Sequence, residues 1–95
     1  MLTWLVTYHC KSGQRDAFRK AIAELGVRNV SKGERGNLKY DYYLSEDDPD
    51  ALLLVESWTD GASQAAHTWT DTFAKLQELK AQYCASVDID KYERD

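Results

Sequence analysis

The chain has 95 residues, 43% hydrophobic and 29% charged, with a formal net charge of −4, which is enough for one domain, residues 1–95, around one core. The acidic balance argues against nucleic acid as a partner, because phosphate recognition wants a basic patch. No apolar run approaches the ~20 residues that cross a bilayer, and the N-terminus lacks a basic region, an apolar segment and a small-residue cleavage site, so a cytoplasmic protein without membrane contact is expected.

The first predicted strand is Leu2–Lys11. Leu2, Trp4, Val6, Tyr8 and Cys10 share one face, and Thr3, Leu5, Thr7 and His9 the other. Apolar groups on both sides imply that both faces are covered. Ser12 is a suitable N-cap for a helix whose apolar stripe is Phe18, Ala21, Ile22 and Leu25, spaced by three and four. Gly26 ends or weakens it, Val30 anchors a short extension, and Gly33 and Gly36 bracket a loop. Arg15, Arg19, Lys20, Arg28, Lys32 and Arg35 cluster in this part of the chain and read as a solvated helix face.

In the second strand Leu38, Tyr40, Tyr42 and Leu44 are expected on one face and Asn37, Lys39, Asp41 and Tyr43 on the other. The loop Ser45–Asp50 holds four acids and the only proline, Pro49, and is exposed. Leu52–Trp58 is a nearly continuous apolar run, the mark of a central strand. Asp60 caps the next helix, which is expected to break near Thr68–Thr70. Trp69, Phe73, Leu76, Leu79 and Tyr83 then repeat at three and four, a stripe for packing on a sheet. Ser86–Tyr92 is the last strand and Glu93–Asp95 a frayed tail.

The order β-α-β-β-α-β is the ferredoxin-like plan: an α+β fold in which a four-stranded antiparallel sheet carries two helices on one face. The other face is apolar with nothing in the chain to cover it, which marks an interface. In this plan Cys10, ending the first strand, lies near Cys84, preceding the last. A disulfide between them is geometrically conceivable, but two buried free thiols are expected of a reducing cytoplasm.

Three groups stand out chemically. Glu56 and Trp58, two residues apart on a strand, point to the same face, and a carboxylate in an apolar strand is costly unless paired. His67 follows early in the next helix, which puts an acid, an indole and an imidazole within reach of one cavity. An imidazole titrates near neutrality and suits proton abstraction from a phenol or enol; a helix histidine bonded to a neighbour is the plainer reading. Glu56 either orients His67, accepts from a substrate hydroxyl, or forms a salt bridge. Trp58 is a pocket wall or a core residue. Asn37 offers an amide to an oxyanion or carbonyl, or serves the turn after Gly36. Tyr8, Tyr40, Tyr42, Trp4, Trp69 and Phe73 supply aromatic lining. The two histidines lack ligand spacing, so no metal is expected, and no glycine-rich phosphate loop or serine nucleophile elbow is present.

The strand Leu2–His9, the helix entry Gly13-Gln14-Arg15-Asp16-Ala17-Phe18, the stretch Gly36-Asn37-Leu38-Lys39-Tyr40, the run Leu52–Trp58, then His67, Phe73 and a last strand near Ser86–Tyr92 resemble the antibiotic biosynthesis monooxygenase family over nearly the whole chain. The resemblance implies a homodimer that pairs two sheets face to face, a dimeric α+β barrel. The family's haem-degrading branch has an asparagine, a tryptophan and a histidine where Thr7, His67 and Gln77 stand here, so the axial ligand is missing. Its oxygenase branch uses neither metal nor flavin: a deprotonated phenolic substrate itself reduces dioxygen, while the protein supplies a base, a dry pocket and orientation. The resemblance thus implies a cofactor-independent monooxygenase of a quinol or polycyclic phenol, with His67 as base, Glu56 its orienter or a hydroxyl acceptor, Asn37 a donor, and Trp58, Phe73 and Tyr40 around the substrate. Another branch, acting on a phosphorylated signalling molecule, shares Gly36-Asn37-Leu38, Glu56 and His67, so a cofactor-free isomerase of a small carbonyl compound is the alternative. A non-enzymatic dimer that binds a small ligand is the third. The isomerase would need a cation at the cavity mouth, Lys39 or Arg35.

Overall fold

The N-terminal alternation forms β1, Leu2–Cys10, in the computed structural model, which describes residues 1–94. There follow α1 (Arg15–Leu25), α2 (Val27–Lys32), β2 (Asn37–Leu44), β3 (Ala51–Trp58), α3 (Gly61–His67), α4 (Asp71–Tyr83) and β4 (Cys84–Glu93). The strands form one antiparallel sheet in the order β2-β3-β1-β4. This is the ferredoxin-like α+β plan, with each of its two helices split in two.

The splits have local causes. Gly26 sits at φ 75°, closes α1 in the left-handed conformation and opens α2. Thr70 interrupts the second helical segment: its Oγ1 accepts from the Phe73 N–H at 3.1 Å and donates to the His67 carbonyl at 2.9 Å. His67 is therefore held at the last position of α3, against the start of α4. Asp60 caps α3 as expected, accepting from Ser63 N at 2.8 Å.

One face of the sheet is sealed by the helices. Val6, Tyr8, Cys10, Tyr40, Leu52, Leu54 and Trp58 pack there against Phe18, Ile22, Val27 and Leu76. The opposite face presents Thr3, Leu5, Thr7, Leu53 and Val55, none of them fully buried. The expectation that both faces of the first strand are covered is not met within this chain.

Several local expectations are corrected. The residue preceding α1 is Gln14, not Ser12, and it makes no side-chain cap. The start of α1 is tied down instead by Arg15, whose Nη1 donates to the carbonyls of Asp48 (3.0 Å) and Ala51 (3.2 Å) in the β2–β3 connection. Val30 is 44% exposed; Val27 and Ser31 are the buried residues of α2, because the helix restarts at Gly26 with a new phase. Trp69 is 87% exposed, since it lies in the turn before Thr70 and does not share the α4 stripe. The last strand begins at Cys84 and runs through Glu93, and Arg94 N donates to the Met1 carbonyl at 2.8 Å; Arg94 is thus tied to the N-terminus, not frayed, and Asp95 lies outside the described residues.

The most consequential correction is at β2. Asn37 pairs with Trp58 but Lys39 pairs with Ser57, so Leu38 is an extra residue, a β-bulge. The bulge turns Leu38 outward, to 55% exposure. It brings Asn37 onto the helix-covered face with Tyr40, the reverse of what simple alternation predicts.

Candidate active site

The site is built on the row where β2, β3 and β1 cross under α3 and α4. Glu56 lies between Tyr40 on β2 and Trp4 on β1, and Trp58 stands one row further along the same face. The expected shared direction of Glu56 and Trp58 holds closely: Trp58 Nε1 donates to Glu56 Oε1 at 2.9 Å. This bond takes the place of the salt bridge considered for Glu56. The glutamate is only 5% exposed. Burial pushes its carboxyl upward, against the lowering effects of the Trp58 hydrogen bond and of His67 and Lys80 nearby.

His67 is 3% exposed and walled by aromatic rings. Its ring lies 5.0 Å from that of Trp58, 5.3 Å from Phe73 and 5.6 Å from Tyr40, centroid to centroid. Four of the six residues singled out from the sequence, His67, Trp58, Phe73 and Tyr40, therefore form one cluster, and Glu56 joins it through Trp58. The carboxylate that orients the imidazole is not Glu56, however. It is Glu34, whose Oε1 lies 2.6 Å from His67 Nδ1. A carboxylate only accepts, so Nδ1 carries a proton and Nε2 is the free lone pair of the neutral ring.

Glu34 escaped sequence reasoning because it lies in the loop between Gly33 and Gly36, 33 residues from its partner. The usable signal is Gly36. It adopts φ 83° and a Cβ there would run into the Ser63 side chain on α3, so the loop must lie close on the helix that carries His67. Lys80, about two turns beyond Phe73 on α4, was also missed. Its Nζ sits 5.4 Å from the Phe73 ring centroid and 5.6 Å from that of Tyr8. Burial pushes its ammonium downward, with Glu56 opposing.

Asn37 has a different setting. Its Nδ2 donates to the carbonyls of Lys39 (3.1 Å) and Ser57 (3.4 Å), so both amide hydrogens are engaged at the bulge. Lys39 is on the face away from His67, beside Ser57, and pairs with Asp41 at 3.3 Å.

Among the described residues Glu56 Oε2, His67 Nε2 and Lys80 Nζ have no hydrogen-bond partner. Nor are they among the sealed polar atoms without partners, which are Trp4 Nε1, Arg15 Nε, Ser31 Oγ, Tyr40 OH and Tyr42 OH. Clefts are found elsewhere on the protein. One, of about 640 Å³, runs between α1 and β2 over Ile22, Tyr42 and Leu52; its rim cations Arg19 and Arg28 are matched by Asp16 and Asp41. The other, of about 380 Å³, lies between α1 and α4. Neither is lined by His67 or Glu56. No cluster of three or more metal-ligating side chains occurs among the described residues. Cys10 and Cys84 are free and are cross-strand partners. Burial raises both thiols, Cys84 to about 12, so neither is poised as a nucleophile.

The antibiotic biosynthesis monooxygenase family model matches residues 1–79, and the chain belongs to that family. A Nitrosomonas europaea structure assigned by name to these monooxygenases is 25% identical, with a TM-score of 0.88 over 99% of this chain and 98% of that one. A structure from Pseudomonas aeruginosa is 26% identical, with a TM-score of 0.87 over 98% and 92% of the two chains. A Deinococcus radiodurans structure at 16% identity still superposes with a TM-score of 0.87, over 100% and 93%, which speaks for the fold alone. No curated protein matches the chain.

Proposed function

We propose that this member of the antibiotic biosynthesis monooxygenase family is a cofactor-independent monooxygenase of a quinol or polycyclic phenolic substrate. The observation that carries the reading is the His67–Glu34 pair: a buried imidazole, clamped at Nδ1, with a free Nε2 inside an aromatic wall. Such a group takes a proton from a phenol, and the Glu34 carboxylate stabilises the imidazolium that results. The resulting phenolate passes an electron to dioxygen. Recombination at carbon and loss of water complete the change of phenol plus dioxygen into quinone plus water. One oxygen atom ends in the new carbonyl and the other in the water, so the substrate itself supplies the electrons.

Trp58, Phe73 and Tyr40 are the surfaces against which a planar ring would lie. Glu56, kept toward its protonated form by burial, would hold a substrate oxygen through Oε2. Asn37 can serve the substrate only through its carbonyl oxygen, unless the bulge opens. Phe73 and Lys80 are both only half-buried and would form the outer wall of the site. The isomerase alternative gains nothing from Lys39, which faces away.

The uncovered sheet face is the natural seat of a second copy. Leu5, Leu53 and Val55 form its apolar centre, and Tyr43 and Tyr92 are about half exposed at its margins. A homodimer through this face would cover it and leave the helix-side site open. Light scattering on the purified protein checks this, and a monomer at micromolar concentration would refute it.

The function is tested by dioxygen uptake of the metal-free protein with hydroquinones and hydroxylated polycyclic aromatics. Uptake above autoxidation that is lost in His67→Ala is the expected result. Equal rates with and without protein across the panel would overturn the assignment.

A further inference from the structure

Among the described residues Lys80 is the lysine or arginine packed against this cluster, and no carboxylate lies within ion-pair distance of it, although Glu56 acts on it electrostatically from further away. Among the described residues it makes no ion pair and no hydrogen bond, whereas Arg28, Lys32 and Lys39 converge on Asp41 within 3.3 Å. Its amine is instead packed between the rings of Tyr8 and Phe73. The two rings give the ammonium a favourable cation–π setting, but neither supplies the full counter-charge that a half-buried ammonium calls for. Glu56, the acid that acts on Lys80 electrostatically, is itself pushed toward neutrality by burial and already bonds Trp58.

Position adds the second observation. The Phe73 ring touches both the His67 ring, at 5.3 Å, and Lys80 Nζ, at 5.4 Å. A flat molecule lying on Phe73 therefore meets a proton acceptor and a fixed positive charge. Asn37, the donor that the sequence suggests for an oxyanion, has both amide hydrogens bound to strand carbonyls. Lys80 has three N–H donors and, unlike the Tyr40 hydroxyl or a protonated Glu56, also brings a full positive charge.

We propose that Lys80 is the anion-binding residue of this site, and that its ligand is a small planar organic anion whose charge is spread over an aromatic or enol oxygen. The proposal rests on the oxygenase reading for the ligand's role but not for its binding. A phosphate dianion fits less well, since it wants several convergent donors and would lie beside Glu56 with Lys80 as the sole cation.

The test uses 4-nitrophenol at mildly alkaline pH, where it is ionised and its absorption reports the charge state, against 4-nitroanisole, its uncharged analogue. Wild-type protein is expected to bind the phenolate about tenfold more tightly than the anisole, a preference in the range of desolvated charge pairs. Lys80→Met should abolish that preference while leaving anisole binding within twofold, and Lys80→Arg should keep most of it. Lys80→Gln, read the same way, guards against a Met variant that does not fold. Equal affinity for the two probes in wild type, or a preference that survives in both neutral variants, would overturn the proposal. So would phenyl phosphate displacing the phenolate more strongly than unlabelled phenols do. The titration needs no turnover: phenolate preference without dioxygen uptake would refute the oxygenase and keep the Lys80 site, and uptake without preference would do the reverse.

Discussion

The two histidines of this chain each meet a carboxylate at hydrogen-bond distance, and almost nothing else about them agrees. His67 lies 2.6 Å from Glu34 with its side chain 3% exposed, and three aromatic rings pack around it. His9 lies 2.8 Å from Asp88 with side chains 37% and 77% exposed, across β1 and β4 on the open face. By distance the pairs are alike. By environment they are opposite, and environment sets the worth of a pair: solvent screens the exposed one, whereas the buried one acts in a low dielectric. A histidine–carboxylate contact therefore identifies a site only together with its burial and its free second nitrogen.

The comparison can be broken most decisively by removing the rings. His67→Ala should lower dioxygen uptake with a responsive phenol by at least about a hundredfold, and His9→Ala should leave it within about twofold; similar losses would mean that burial does not distinguish them. Next comes the glycine that seats the Glu34 loop. Gly36→Ala combines a positive φ with a clash at Ser63, and chemical denaturation should show a loss of about 2–3 kcal/mol. Deleting the carboxylates sharpens the contrast. Glu34→Ala should destabilise by about 2 kcal/mol, leaving the His67 Nδ1–H unpaired and buried, while Asp88→Ala should cost less than about 0.5 kcal/mol. Equal values would end the argument from environment.

The smallest expected effect concerns pH. A carboxyl whose folded pKa lies above its unfolded value carries no penalty below the unfolded pKa. It destabilises the fold increasingly as pH rises through the folded value. Glu56 is such a group. Glu56→Gln keeps an oxygen for Trp58 Nε1 and removes the charge, so it should be more stable than wild type at neutral and alkaline pH, by about 1 kcal/mol. The gain should vanish in acid below the ordinary carboxylate range. Thermal melts across pH check this; a gain that persists in acid would place its origin elsewhere.

Much of the architecture was legible in the chain because it depends on short-range regularities. The near-alternation in Leu2–Cys10, the apolar run before Trp58, Gly26 closing a helix and Asp60 opening another are each set by neighbours a few residues away. The shared direction of Glu56 and Trp58 followed from the two-residue period of a strand. His67, Phe73 and Tyr40 could be picked out as residue types, and the family resemblance supplied their grouping.

What alternation could not reveal is where it fails. The bulge at Leu38 exchanges the faces of Leu38 and Asn37, because one inserted residue inverts a period of two. Trp69 fits the spacing of the α4 stripe but is thrown outward by the Thr70 cap. Glu34 and Lys80 reach the His67–Phe73 cluster only because a glycine loop and the far end of a helix meet the same sheet row. Element types and their order could be read along the chain, since these are periodic and local. The tertiary structure decided which charges are paired and which stand alone, since desolvation and contact depend on groups brought together from tens of residues apart.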